Sequence, residues 1–222
     1  CLGVGGRDLS SAVGARSTKQ ALALLDADPT TELIVVVSKP PAKEVAEDVE
    51  AYAATLATPV QFALLGRSRP DLTRAAEAAV TAVGGSWSPP RSWPSPQPRT
   101  GTYAVLHGLF AGGTLTDEAM VIAADTLGPV RSNIPLEPDW ALGADLSDDG
   151  HLMIDFGDDA LTQGRAHPMI DQRTRLDRIA VDGATLASGV LLLDVVLGHG
   201  AHADPASELA PALAAALAAA RA

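Results

Sequence analysis

Apolar positions along this chain alternate between two rhythms. Spacing of three and four residues marks STKQALALLDAD, AKEVAEDVEAYAATLA and DLTRAAEAAVTAVGG as amphipathic helices. Between and before them stand short apolar runs, LGVGG, ELIVVVSK and PVQFALLG, that read as strands. The third helix is expected to begin at Asp71 and to end on Gly84 and Gly85. Beyond residue 101 the alternation returns. TYAVLHGLF, HLMIDFG and GVLLLDVVLG read as strands, and GTLTDEAMVIAADTL, DQRTRLDRIA and ASELAPALAAALAAARA as helices. Pro211 falls near the start of the last helix, where a missing donor costs little. Strands separated by helices with short connections predict an α/β fold: a parallel sheet, helices on both faces, and a ligand site at the carboxyl ends of the strands.

The rhythm stops between the halves. Gly84 to Gly101 carries five prolines from Pro89 to Pro98, a density that favours an extended, semi-rigid tether. The expected organisation is therefore a first domain over 1–85, a Pro-rich linker over 86–101 and a second domain over 102–222. Trp87 and Trp93 lie in the linker, and the area a tryptophan buries argues that they pin it against one domain.

Composition fits this picture. A chain of 222 residues with 47% hydrophobic and 19% charged residues is that of a packed protein with room for two modest domains. A net charge of -11 argues against nucleic acid or anionic lipid as partner. No apolar run approaches the roughly 18 to 20 residues that span a bilayer. The single Cys1 forms no internal disulfide or cysteine-based metal cluster, so a cytoplasmic location is expected. The absence of an initiating Met, and entry on what reads as a strand end, suggest a processed or truncated piece.

Three strand-to-helix junctions offer chemistry. In FAGGTLTDEA, Gly112, Gly113 and Thr114 open a helix whose free amides would attract a phosphate or carboxylate. The alternative is ordinary capping by Thr114 or Thr116, with Asp117 or Glu118 answering the dipole. The spacing and the missing Lys exclude a Walker loop. In IDFGDDALTQGRAHPMID, Asp155, Asp158, Asp159, Arg165, His167 and Asp171 follow a strand. They could orient a carboxylate through Arg165, act as acid or base, or hold a Mg²⁺-like cation; His167 lacks the partners zinc requires. Here too a plain reading stands beside the chemical one, with Asp171 as a helix cap. In LLLDVVLGHGAHADP, His199 and His202 occupy a glycine-containing loop, and Asp194 interrupts an apolar strand, either in a polar network or at the strand end.

LGVGGRDLSSAVG, DADPTTELIVVVSKPP, GLFAGGTLTDEA, RSNIPLEP, IDFGDDALTQGRAHPMID and LLLDVVLGHGAHADP resemble the FdrA family, relatives of the succinyl-CoA synthetases and other NDP-forming acyl-CoA ligases. The resemblance covers most of both halves. It implies two flavodoxin-like, doubly wound domains, the first lacking its opening strand–helix unit and the second its closing one. It also implies that glycine-rich helix starts face a shared phosphohistidine, which favours the anion reading of Gly112, Gly113 and Thr114. The Gly-His-Ala-Gly context of that phosphohistidine is absent between Arg67 and Gly85, and GHGAH occupies a different place. No grasp-type ATP-binding domain or CoA-binding domain is visible.

Three functions follow from the resemblance. One is an FdrA-type acyl-CoA synthetase-like protein handling a phosphate or acyl phosphate. Another is a subunit of an oxamate carbamoyltransferase of purine or allantoin catabolism, and the third a non-catalytic scaffold. The candidate catalytic residues are His167, Asp158, Asp159 and Arg165, with Asp155, Asn133, His199 and His202 as secondary candidates. CoA, phosphate or Mg²⁺ would serve the complete protein, with a small-molecule substrate and other subunits or further copies as partners. Convergence of Gly113, Asp158 and His167 on one cleft would favour an enzyme over a scaffold.

Overall fold

The computed structural model describes residues 1–93, 104–185 and 189–220. They fall into two compact units, Cys1–Ser95 and Pro96–Ala222. Of the expected linker, residues 94–101 lie outside the described part.

The first unit contains α1 (Arg16–Asp26), β1 (Ile34–Ser38), α2 (Lys43–Ala53), β2 (Val60–Leu64) and α3 (Leu72–Ala82). β1 and β2 pair in parallel with Ile34 opposite Val60, as a strand–helix–strand unit requires. Val45, Ala46 and Val49 lie on one face of α2 at helical spacing and pack with Leu22, Ile34 and Leu64. Asp71 caps α3, accepting the Arg74 amide at 2.7 Å.

LGVGG departs from expectation. Cys1–Arg7 is exposed, no strand forms, and Gly6–Leu9 makes a turn of 3-10 helix. Three glycines leave this segment too little side chain to bury against a neighbouring strand. The described sheet of this unit is thus two-stranded, smaller than the doubly wound sheet expected. Asp8, buried at the end of that turn, serves the next helix. It accepts the Ser17 amide at 2.9 Å, the Thr18 amide at 2.7 Å and the Thr18 hydroxyl at 2.6 Å. Burial pushes its carboxyl up, but these bonds outweigh burial and hold it below the usual range.

The second unit contains β3 (Leu106–Phe110), α4 (Gly113–Leu127), β4 (Arg131–Ser132), β5 (Leu152–Asp155), α5 (Asp159–Thr162), α6 (Arg173–Thr185), β6 (Val190–Leu193) and α7 (Pro205–Ala219). The short β4 and α5 have too few residues to show a period in sequence. All four strands are parallel, in the order β4-β5-β3-β6. Alternate residues divide the core between the two faces. Phe110 and Met153 meet Met120 and Ala123 of α4, while Leu109 and Ile154 meet Ile179 of α6 and Leu209 and Ala216 of α7. The unit is therefore an α/β layer structure with helices on both faces of a parallel sheet.

Two further expectations are corrected. α7 starts at Pro205 behind an Asp204 cap, so Pro211 lies at the helix's seventh position and interrupts its hydrogen bonding rather than opening it. Trp93 is 80% exposed, with the Arg91 guanidinium over its ring, and does not anchor the tether. Among the described residues no helix is long and apolar enough to cross a membrane.

Candidate functional site

The connections of the second unit place a crevice between β3 and β5. From β3 the chain passes through α4 over β5 to β4, and from β5 it passes through α6 over β3 to β6. Neighbouring strands thus send their crossovers in opposite directions, and right-handed connection puts α4 and α6 on opposite faces. The carboxyl ends of two such strands are where open α/β sheets bind ligands. Register brings Phe110 opposite Asp155 and Leu109 opposite Leu193, so residues 111 and 156 continue side by side while Asp194 falls level with Phe110, one step behind them.

At the first junction Gly112 is the residue before α4, in extended backbone with φ −163°, and no side chain caps the helix. Its first turn holds no acid. The Thr116 hydroxyl donates to the Gly112 carbonyl at 2.9 Å, so it leaves the helix amides to other partners. A carboxylate from another strand stands at this helix start. Asp194 Oδ1 accepts the Ala111 amide at 2.8 Å and pairs with Arg175 Nη2 at 3.0 Å. Asp194 is therefore both at the strand end and inside a polar network.

Arg175 is fully buried and ties two strand ends together. Its Nη2 donates to the carbonyls of Leu109 at 2.9 Å and Asp194 at 2.8 Å, and its Nη1 to Gln172 Oε1 at 2.9 Å. For each partner burial outweighs the opposite charge: Arg175 is pulled down and Asp194 pushed up from its ordinary pKa. Sequence reasoning missed Arg175. The signal was its spacing, because Gln172, just before α6, and Arg175, Ile179 and Asp182 on it are all buried and recur at three and four residues. Toward the amino end of β3, His107 Nδ1 lies 3.1 Å from Asp182, which also accepts from Arg178 at 2.7 Å.

At the second junction the aspartates answer backbone amides one by one. Asp155 is buried and takes the Gly157 amide at 2.9 Å. Asn133 clamps the Asp155 backbone, its amide nitrogen donating to the carbonyl at 3.0 Å and its oxygen accepting from the amide at 2.9 Å. This side chain imitates a peptide group and prolongs the β4–β5 ladder by one step. Asp158 caps α5 through the Ala160 amide at 2.9 Å, and Asp159 is exposed. Asp171 accepts the Arg173 amide at 3.1 Å and pairs with its guanidinium, which holds its carboxyl down at about 2. Arg165 is exposed, has no ion-pair partner among the described residues, and lines a concavity of about 410 Å³ with Phe156, Leu161 and Thr174. Among the described residues no three His, Cys, Asp or Glu side chains gather to hold a metal.

His167 links the two junctions. Its Nδ1 accepts the Met169 amide at 3.2 Å, and its Nε2 lies over the Gly157 backbone. A methyl group built on Gly157 would stand 2.6 Å from the Ala111 carbonyl and 2.7 Å from His167 Nε2, so glycine is what lets these three meet. Of the trio that tests convergence, His167 stands beside the approach to α4, while the Asp158 carboxylate faces its own short helix. His202 belongs to a neighbouring loop: its amide donates to the Met169 carbonyl at 2.8 Å and its Nε2 lies 3.7 Å from Glu208. His199 is exposed.

Comparison with known proteins fits this geometry. Residues 109–220 match the family model described as CoA-ligase. The chain is 34% identical over 228 aligned residues to the uncharacterized protein YahF of Escherichia coli (strain K12), across 92% of this chain and 43% of that protein. The chain thus spans less than half the length of the curated relative it matches.

Proposed function

Because the chain belongs to the CoA-ligase family, we propose that its second unit handles a phosphate or acyl phosphate, as part of an FdrA-type acyl-CoA synthetase-like protein of the succinyl-CoA synthetase superfamily. One observation carries this reading: the amino end of α4, without a side-chain cap, opens where β3, β5 and β6 end, and His167 borders it. Amides at such an end stabilise an anion through their dipoles and direct hydrogen bonds. The Asp194–Arg175 pair holds the approach to α4 through the Ala111 amide, and His167 borders it from the β5 side. CoA and any Mg²⁺ would engage the complete protein, with further subunits or copies supplying what this chain does not carry.

Calorimetric titration of the full chain with phosphate, acetyl phosphate and CoA tests the proposal. Saturable binding of phosphate or acetyl phosphate that weakens in His167→Ala is expected. CoA binding alone, indifferent to that variant, would reject the anion site.

A second reading, carbamoyl transfer between oxamate and phosphate, is favoured by Arg165. A guanidinium without an ion-pair partner among the described residues suits a carboxylate such as that of oxamate. Oxamate binding abolished by Arg165→Ala would select this reading. A chain that binds none of these molecules would be left as a scaffold.

A further inference from the structure

We infer that His167 is a donor whose proton sits on Nε2, neither a base nor a phosphate carrier through that nitrogen; its ligand, an oxyanion, rests on the reading given under Proposed function. The Met169 backbone amide lies 3.2 Å from Nδ1, and a backbone N–H can only donate. Nδ1 therefore presents a lone pair, and the neutral ring carries its proton on the other nitrogen. That nitrogen is the one facing the Gly157 backbone beside the Ala111 carbonyl, and no hydrogen bond to it forms among the described residues. An N–H thereby stands beside Gly157, next to the approach to α4, with no hydrogen-bond acceptor among the described residues.

The same contact opposes the other roles of a histidine. Removing a proton from substrate, or attacking phosphorus, requires a lone pair on Nε2. For the neutral ring to supply one, its proton must move to Nδ1, where it would confront the Met169 N–H. His167 thus differs from a histidine oriented by a carboxylate or carbonyl at Nδ1, which keeps Nε2 free to accept.

The decisive measurement is long-range nitrogen–proton NMR on the full chain labelled at histidine, near neutral pH. A pyridine-type Nδ1 and a pyrrole-type Nε2 for His167 are expected, and the reverse pattern overturns the assignment. Inorganic phosphate then reads the role. His167→Gln, whose amide N–H falls near the position of Nε2, should bind phosphate within about threefold of the parent. His167→Asn, which keeps an acceptor for Met169 but places no donor at the crevice, should lose about tenfold or more, as should His167→Ala. If Gln loses as much as Ala, donation is not the role and the inference falls. If the parent binds no phosphate, the oxyanion reading fails by itself, and the NMR pattern alone decides the tautomer.

Discussion

Two junctions of the second unit make opposite use of their polar groups. After β5, Asp155, Asp158 and Asp171 each turn to a backbone amide no more than two residues away. After β3, the two glycines and the threonine supply α4 with no side-chain cap, and a carboxylate arrives from Asp194, 83 residues distant in sequence from the Ala111 amide it accepts. Density of charge in a loop therefore measures how many local amides need an acceptor. A crevice is marked instead by groups from separate strands that meet, here Ala111, Gly157, His167, Asp194 and Arg175.

Removing the long-range partner should cost the most. Arg175→Met leaves Asp194 buried beside a side chain that donates no hydrogen bond, and withdraws donors from the carbonyls of Leu109 and Asp194. Truncating one member of a buried pair costs about 3 to 5 kcal/mol. Urea unfolding should register that loss, and the double variant Arg175→Met with Asp194→Leu should recover much of it. A loss below about 1 kcal/mol would mean that the pair does not hold the strand ends.

Glycine substitutions probe the same contrast more gently. Gly157→Ala drives a methyl group into the Ala111 carbonyl and the His167 ring, and should cost about 1 to 3 kcal/mol while shifting the His167 resonances. Gly112 has extended backbone and nothing within 4 Å of its would-be methyl, so Gly112→Ala should stay within about 0.5 kcal/mol of the parent. Equal costs for the two would remove the special place assigned to Gly157.

Asp158→Ala should cost about 1 kcal/mol, the usual loss of a helix cap, and leave phosphate affinity within about twofold. Were Asp158 to orient substrate, affinity would fall further than stability.

Much of the architecture was legible because it rests on local rules. Short apolar runs located β1, β2, β3, β5 and β6, helical spacing located the long helices, and Asp71 announced the start of α3. LGVGG misled because a short apolar run is a strand only if a neighbour pairs with it, which sequence does not display. Pro211 misled because it was counted as near the start, although it stands past the first turn whether the helix begins at Ala206 as read or at Pro205 as found. The acidic loop drew notice, yet what set His167 apart was its contact with Gly157 and Ala111, which depends on strand register. Arg175 escaped because a charged residue on an apolar stripe reads as surface until its buried acceptors are known.

The smallest effect has the clearest sign. Asp171 titrates at about 2 in the folded chain, held down first by the Arg173 guanidinium and then by the Arg173 amide. An unfolded aspartate titrates near about 3.9. Its contribution to stability is therefore fully present above about pH 4 and disappears as pH falls toward 2. Asp194 runs the other way: burial raises its pKa, so the folded chain holds that proton more firmly, and stability from this group declines as pH rises past the unfolded value. Replacing each by Asn and measuring unfolding from pH 3 to 7 should give differences that change in opposite directions. Asp171→Asn should become more costly with rising pH. Asp194→Asn should shift the opposite way, on top of a pH-independent loss from the broken Arg175 contact. Parallel curves would show that both aspartates meet the same environment, and the distinction between a locally satisfied loop and a shared crevice would then fail on electrostatic grounds.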